Sequence, residues 1–385
     1  MRDPKLLRRL SAALALVAST LAAPRLASAN GSLLERVAQF RGAMPTGVTV
    51  APNGRIFVNF PQWGDKPPFA VGEVKKGGKV VPYPSAAINR PDPKRPAHTF
   101  LSVQSVVADA KNRLWVLDTA APGFSAPIAG GAKLVAIDLA TNEVVRTLVL
   151  PEAAVLASTY LNDVRFDLRQ GKEGVAYVTD SSTSGPGALI VVDLASGSAT
   201  RRLSGHPSTA PDPSFVPTVD GEALKNRPAG GDEAPFRVAA DGIALSADGA
   251  MLYYCPLSSR KLYAVPTAAL RDASMSDEKL AAEVKDLGMR EGASDGLEAD
   301  DKGRIYATDY EHDALRRWSD GSWGTLVRDP HLSWPDTLSI GPDKYLYVIA
   351  NQLHRQPGFH AGKDLRKKPY ELLRYKIDAG PVLLK

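Results

Sequence analysis

Short segments in which apolar and polar residues alternate recur along the whole chain, each followed by a turn and a second apolar strand. Alternation with period two on both sides of an Asn-Gly or Asp-Gly turn is typical of a β-hairpin. The unit occurs six times, and each copy predicts a hairpin. The copies begin at Thr46, Gln104, Asn162, Asp241, Asp295 and Asp336.

A further apolar segment follows most hairpins and predicts a third strand, at residues 133–138, 188–193, 261–265 and 314–318. The first and last units begin 290 residues apart over five intervals, a mean of 58 residues per unit. Four-stranded units repeated six times around an axis predict an all-β fold, the six-bladed β-propeller, whose radial closure leaves no long open edge. Residues 34–40 and 372–377 have strand-like composition, so the two chain ends are expected to complete one shared last blade.

The N-terminal 29 residues have the pattern of an export signal. Four basic residues precede an apolar run from Leu10 to Ala23, and Ala27-Ser28-Ala29 fits the small-residue cleavage rule. A retained membrane anchor is the alternative, disfavoured because polar residues interrupt a run already short for a span. We therefore expect a signal peptide over residues 1–29 and a single propeller domain over residues 30–385, in the periplasm or outside the cell.

Composition and charge limit the classes of partner that the protein is expected to bind. Hydrophobic residues make up 44% and charged residues 23% of the chain, which is typical of a globular protein. Removing residues 1–29 removes five basic side chains and one acidic side chain, which lowers the formal charge from +5 to +1. Nucleic acid and, after cleavage, a membrane are therefore not expected as partners. The sequence has no motif for a nucleotide or another organic cofactor, and its single cysteine excludes an intrachain disulfide.

The residue that heads each predicted inner strand is polar in all six units. Inner strands line the channel of a propeller, so these residues are expected to form a ring at one mouth. Buried carboxylates repel one another unless a cation lies among them, and Ca²⁺ is the divalent ion that best suits carboxylate and amide oxygens. The alternative is that these residues only bond turn backbones, because Asp-Gly is a common turn pair.

Several of these segments together resemble the major royal jelly protein and yellow protein family, in its bacterial branch. The segments are residues 113–118, 161–167, 241–246, 252–257 and 294–297. The resemblance implies a six-bladed propeller, in agreement with the repeat. It also implies a functional channel, because insect members bind small amines there or act on dopachrome.

The pattern is similar, more distantly, to the gluconolactonase and regucalcin family of metal-dependent lactonases. That resemblance places metal ligands at Asp241 and Asp295 and a substrate contact at Asn162, which together form the predicted metal set. The family's N-terminal Glu ligand falls at Thr46, which has no carboxylate, and Asp336 is the residue that could replace its charge.

Two classes of function follow. The first is a propeller that binds a small polar or aromatic molecule at the channel mouth, between two long loops (His206–Pro235 and Gln352–Pro369) and aromatic residues such as Trp63, Trp323 or Trp334. The second is a metal-dependent lactone hydrolase or a dopachrome-type tautomerase, in which Asp241 or Asp295 moves a proton. The ligand-binding residues are predicted to be Thr46, Gln104, Asn162, Asp336 and His331.

Overall fold

All six predicted hairpins are present, each as the two inner strands of a four-stranded antiparallel sheet. The computed structural model describes residues 33–385. The six sheets are the blades of a six-bladed β-propeller, so the predicted fold is confirmed. The predicted signal peptide and its boundary at residue 30 lie outside the described residues and stay predictions.

The strands are numbered β1 to β28 in chain order. The first strand, β1, is Leu34–Phe40 and belongs to the last blade. Blade 1 consists of Gly47–Val50 (β2), Ile56–Asn59 (β3), Val71–Val74 (β4) and Val80–Pro82 (β5). Blade 2 consists of Val103–Ala108 (β6), Arg113–Asp118 (β7), Lys133–Asp138 (β8) and Val144–Val149 (β9). Blade 3 consists of Leu161–Asp167 (β10), Val175–Asp180 (β11), Ala188–Asp193 (β12) and Ala199–Arg202 (β13).

Four short strands between blades 3 and 4 form two separate pairs: Thr218–Val219 (β14) with Glu222–Ala223 (β15), and Lys225–Asn226 (β16) with Ala234–Pro235 (β17). Blade 4 consists of Ala240–Leu245 (β18), Met251–Pro256 (β19), Lys261–Pro266 (β20) and Lys285–Met289 (β21). Blade 5 consists of Leu297–Ala299 (β22), Ile305–Asp309 (β23), Ala314–Ser319 (β24) and Ser322–Arg328 (β25). Blade 6 consists of Pro335–Ile340 (β26), Tyr345–Ala350 (β27), Tyr370–Lys376 (β28) and β1.

The ring closes through blade 6, where β1 pairs with β28, so the prediction of a last blade shared by both chain ends is confirmed. The inner strand of each blade contacts the inner strand of the next, and β26 contacts β2. Strands sandwiched between neighbouring blades are buried on both faces, which is why β10 and β11 are buried along their whole length.

Helices are few and short. Two α-helices, Thr267–Arg271 (α1) and Asp277–Ala282 (α2), connect β20 to β21. Turns of 3₁₀-helix occur at Pro122–Phe124, Pro330–Leu332, Leu353–Arg355 and Pro357–Phe359. Among the described residues no helix is both long and apolar enough to span a membrane.

Candidate functional site

The inner strands hold the predicted polar residues, and β-bulges govern where several of them point. In blades 2, 3 and 4 the ladder between the two inner strands shifts register at Gln104, Asn162 and Asp241, respectively. A bulge sets two residues opposite one and re-aims a side chain out of the regular pleat. All three side chains line one cavity.

The cavity lies where the inner strands of blades 2 to 5 begin and has a volume of about 270 Å³. Its polar side consists of Gln104, Asn162, Ser181, Asp241 and Asp295, and four further polar residues line the cavity: Thr183, Asn226, Arg237 and Gln356. Its remaining lining is largely aromatic and aliphatic, with Trp63, Phe124, Tyr160, Phe236, Leu257, Leu353 and Phe359. A mostly apolar cavity with a few convergent polar groups is the usual form of a small-molecule site.

One wall of the cavity is a layer of three aromatic side chains, Trp63, Phe124 and Tyr160, which we call the aromatic wall. The rings of Trp63 and Phe124 stack with centroids 5.0 Å apart, and those of Phe124 and Tyr160 stack at 4.4 Å. The indole Nε1 of Trp63 donates a hydrogen bond of 2.6 Å to the Tyr160 hydroxyl. The wall therefore presents a rigid apolar surface on which a planar ligand can stack.

The two carboxyl groups of the polar side have different partners. Asp241 is satisfied at both oxygens, because Asn162 donates to Oδ1 and the Ser181 hydroxyl donates to Oδ2 at 3.0 Å. Asp295 accepts a 2.7 Å hydrogen bond from the Trp334 indole at Oδ2. Asp295 and Asp241 also share a side-chain hydrogen bond, so the two carboxyl groups form a pair on the polar side of the cavity.

Burial without a counter-charge shifts the protonation of these acids. Desolvation, reinforced by the charges of Asp295 and Asp336, raises the pKa of Asp241 well above its usual value. Desolvation likewise raises the pKa of Asp295 to about 7, opposed by its hydrogen bond from Trp334. Within residues 33–385 no lysine or arginine forms an ion pair with either group. The site therefore favours a ligand that brings hydrogen-bond donors or positive charge.

The two long loops complete the cavity. Phe236, just after the loop His206–Pro235, contacts Phe359 of the loop Gln352–Pro369 with ring centroids 5.6 Å apart. The loops are tied together by Asp220, which pairs with His354 at 2.9 Å and with Arg355 at 2.7 Å. Both loops thus contribute side chains to the lining of the cavity, Asn226 from the first and Leu353, Gln356 and Phe359 from the second.

Two predicted ring residues do not reach the cavity. Thr46 is fully buried and accepts a hydrogen bond of 3.0 Å from Asn59. Asp336 lies at a register shift of blade 6, yet Asn351 and Thr337 already donate to its oxygens at 2.6 and 3.1 Å. Its charge acts on the site only at a distance, through the pKa of Asp241.

His331 is also outside the cavity. It belongs to the 3₁₀ turn before blade 6 and pairs with Glu371 at 2.6 Å in a separate surface cleft. Trp323 lies in β25, the outermost strand of blade 5, and Trp334 is fully buried beneath the polar side, where it stacks on Tyr310 at 4.2 Å. Of the three predicted tryptophans, only Trp63 lines the cavity.

Several lining residues were not predicted. Phe124 lies in a loop of blade 2, and Tyr160 immediately precedes the inner strand of blade 3. Ser181 directly follows the second strand of the same blade. The only sequence signal for Tyr160 and Ser181 is their position beside the repeat, since both adjoin the residues that define it.

The fit of a divalent cation can be judged from the donor set. Asn162, Asp241 and Asp295 offer two carboxylates and an amide, and the carboxylates lack a counter-charge among the described residues, which suits a cation. Three protein ligands are fewer than the six to eight oxygens that Ca²⁺ takes, so water or a ligand would have to supply the rest. No group of three or more His, Cys, Asp or Glu side chains in residues 33–385 is arranged to hold a metal.

The fold and the cavity define a six-bladed β-propeller with a small-molecule-sized site at one channel mouth. Residues 101–378 match the sequence profile of the family described as Major royal jelly protein. This span is more than half of the chain, and the protein therefore belongs to the major royal jelly protein family. The resemblance predicted from the repeats is confirmed.

Among relatives, Protein yellow of Drosophila subobscura is 25% identical over 330 residues, which cover 81% of this chain and 56% of that protein. Protein yellow of Drosophila melanogaster is 26% identical over 251 residues, which cover 62% of this chain and 44% of that protein. The chain thus spans about half the length of the curated relatives it matches.

Solved structures share the fold. Regucalcin of Agrobacterium tumefaciens, a calcium-binding protein, superposes with a TM-score of 0.53 at 14% identity over 91% of this chain and 98% of that chain. A gluconolactonase of Xanthomonas campestris superposes with a TM-score of 0.51 at 12% identity, over 89% of this chain and 88% of that chain. At these identities the likeness is one of fold alone.

Proposed function

We propose that the protein binds a small aromatic molecule that carries a hydrogen-bond donor, such as an amine or a hydroxyl group, in the channel-mouth cavity. The observation that carries the proposal is the presence, in one cavity of about 270 Å³, of both the aromatic wall and the buried carboxyl pair of Asp241 and Asp295. The wall stacks on the ring of the ligand, and the carboxyl groups receive its donor.

Calorimetric titration with three probes of similar shape tests the proposal. We expect 2-phenylethylamine to bind more tightly than 2-phenylethanol, and phenylacetate to bind least, because its carboxylate would face the acidic polar side. Asp295→Asn should weaken the binding of 2-phenylethylamine by roughly tenfold or more, since it removes a hydrogen bond to a charged group. Asp286→Asn, which changes an exposed acid of blade 4, is the matched control. Equal affinity for all three probes would contradict the proposal.

A second proposed function, proton transfer on the bound molecule, is favoured by one observation: Asp295, with a pKa near 7, adjoins Asp241 in the cavity. A carboxyl group that titrates near neutrality can both give and take a proton. Lactone hydrolysis and tautomerisation are the reactions to test, by pH-stat with a lactone panel and by absorbance with dopachrome. Turnover that Asp295→Asn abolishes would support this function, and turnover that survives the change would refute it.

We also propose that Asn162, Asp241 and Asp295 hold a divalent cation, for which Ca²⁺ is the first choice; when bound, such an ion would polarise a carbonyl oxygen of a ligand. An ion bound only by the folded protein stabilises it by mass action. Ca²⁺ should then raise the melting temperature of the wild type above its value in chelator, and Asp295→Ala should remove that difference. If Asp295→Ala lowers the melting temperature equally with and without Ca²⁺, the residue serves only as a hydrogen-bond acceptor.

A further inference from the structure

The Gln104 side chain is held in one orientation by a chain of hydrogen bonds that begins at Trp63. The Trp63 indole donates to the Tyr160 hydroxyl oxygen at 2.6 Å, and the Tyr160 hydroxyl donates to Gln104 Oε1 at 3.0 Å. Tyr160 is buried, and Gln104 is 94% buried. All three side chains line the cavity.

The direction of each hydrogen bond in this chain follows from chemistry. An indole N–H can only donate, so the Tyr160 oxygen accepts from Trp63, and the Tyr160 hydroxyl in turn donates to Gln104 Oε1. Of the two ends of an amide, only the carbonyl oxygen accepts, so Oε1 must face Tyr160. Burial raises the pKa of Tyr160, which keeps this hydroxyl protonated.

The amide NH₂ of Gln104 is therefore turned away from Tyr160. Its Nε2 makes no hydrogen bond to any residue from 33 to 385, and Gln104 lines the cavity. The residue is almost buried, yet its unpaired N–H groups are available in the cavity to an acceptor on a ligand. Asp295 presents the opposite kind of group to the cavity, because its carboxyl oxygens accept hydrogen bonds.

We propose that Gln104 is a specificity-determining residue that selects ligands bearing a hydrogen-bond acceptor, such as a carbonyl or ether oxygen, and that Tyr160 and Trp63 are positioning residues that lock its amide. The ligand class is thus a planar aromatic molecule with a donor group for Asp295 and a separate acceptor for Gln104. This inference rests on the proposed binding function and adds a hydrogen-bond acceptor to the features expected of the ligand.

The test uses 2-phenylethylamine carrying one further ring substituent at the meta or para position. Acetyl is an acceptor, isopropyl has nearly the same shape without polar atoms, and aminomethyl is a donor at neutral pH. Dissociation constants are measured by calorimetry on the full chain. The ratio of the acetyl to the isopropyl constant within one variant cancels general changes in charge and packing.

We expect the better acetyl isomer to bind the wild type about tenfold more tightly than its isopropyl counterpart, as one buried hydrogen bond allows. Gln104→Glu exchanges the NH₂ donor for an acceptor oxygen at nearly constant shape, so it should abolish the acetyl preference and favour aminomethyl. Tyr160→Phe frees the amide to rotate, so it should reduce the acetyl preference and improve aminomethyl binding. Circular dichroism and melting temperature show whether each variant folds. If Tyr160→Phe does not fold, the Gln104→Glu variant is enough to test the proposal.

The outcomes separate the two proposals. If the probes bind but the wild type shows no acetyl preference, or if Gln104→Glu keeps that preference, the role of Gln104 is wrong and the binding function stands. If the wild type binds none of the amines, the binding function itself is refuted, and the role of Gln104 falls with it.

Discussion

At the scale of single residues, the three buried aspartates of the predicted ring differ in their hydrogen-bond partners. Asn351 and Thr337 satisfy Asp336, and Asn162 and Ser181 satisfy Asp241. Asp295 accepts from the buried Trp334 indole and shares a hydrogen bond with Asp241. This difference in partners makes Asp295 the residue whose substitution should affect binding most.

A partly buried acid outside the cavity, Asp313, makes stability depend on pH. Desolvation and the charge of Asp220 raise its pKa to about 6. Because this value exceeds that of the unfolded chain, the contribution of Asp313 is complete below pH 3.8 and is lost as the pH rises through 6. Asp313→Asn should therefore raise the free energy of unfolding at pH 7.5 by about 1–2 kcal/mol.

Thermal melts at pH 7.5 and pH 4 check this prediction. The gain should shrink strongly at pH 4, where Asp313 is protonated in the folded protein and about two-fifths protonated in the unfolded chain. Asn tolerates the left-handed backbone at this position, where φ is 50°. Asp320→Asn is the matched control, because Asp320 has a φ of 52° and is exposed. A gain of equal size at both pH values would refute the electrostatic explanation.

At the scale of strands, two glycines allow neighbouring inner strands to approach closely. A Cβ on Gly242 would lie 2.6 Å from the backbone oxygen of Asp295, and one on Gly296 would lie 2.4 Å from that of Asp336. The alternative interpretation of these Asp-Gly pairs as turns does not describe Gly242, which lies inside β18. Glycine is needed at both positions because only hydrogen fits between the backbones of adjacent blades.

Gly296→Ala should destabilise the propeller by about 2 kcal/mol or more, because the added methyl group overlaps a backbone atom that cannot rotate away. The matched control is Gly324→Ala in β25 of the same blade, where a Cβ would have no atom within 4 Å. Denaturant unfolding of both variants measures the difference. Equal loss of stability in the two variants would contradict the close-approach explanation.

The strands were predictable from the sequence because hairpin formation is local. Alternation and turn residues within about a dozen positions specify each pair of inner strands, and the repeat then specifies the architecture. The membership of the site was less predictable, because a bulge changes the direction of a side chain without changing the pattern of apolar residues. Gln104 and Thr46 head equivalent strands, yet only Gln104 reaches the cavity.

The aromatic wall could not be predicted for a further reason. Trp63 comes from blade 1, Phe124 from blade 2 and Tyr160 from the start of blade 3. They meet only after the blades have packed around the axis, so no window of sequence contains the wall. The two long loops were identified by composition, but the contacts that join them depend on the same packing.

At the scale of the whole molecule, the two ends of the channel are built differently. One mouth opens into the candidate binding cavity. At the other end, Pro381 to Leu384 border a smaller cavity together with the ends of the inner strands. The Leu384 carbonyl accepts a hydrogen bond of 3.0 Å from the Leu168 N–H, which fixes this tail against blade 3. The tail narrows the second end, so a ligand is expected to enter from the loop side.

The closure of the ring rests on β1, the strand that the N-terminal part of the described chain adds to blade 6. It pairs with β28 from Leu34↔Tyr375 to Phe40↔Tyr370. Leu34, Ala38 and Phe40 are buried in two hydrophobic clusters that β28 shares. Losing these contacts would expose both apolar surface and the hydrogen-bonding edge of β28.

A chain that begins at Arg41 should therefore melt on the order of 10 °C below one that begins at Leu33, because each large apolar side chain removed costs about 1.5–3 kcal/mol of burial. Differential scanning calorimetry of the two truncated proteins measures the shift. A synthetic peptide of residues 33–41 added to the shorter chain should restore part of the loss by refilling the edge. Identical melting temperatures would show that blade 6 holds the ring closed with three strands, and that β1 covers the edge without stabilising it.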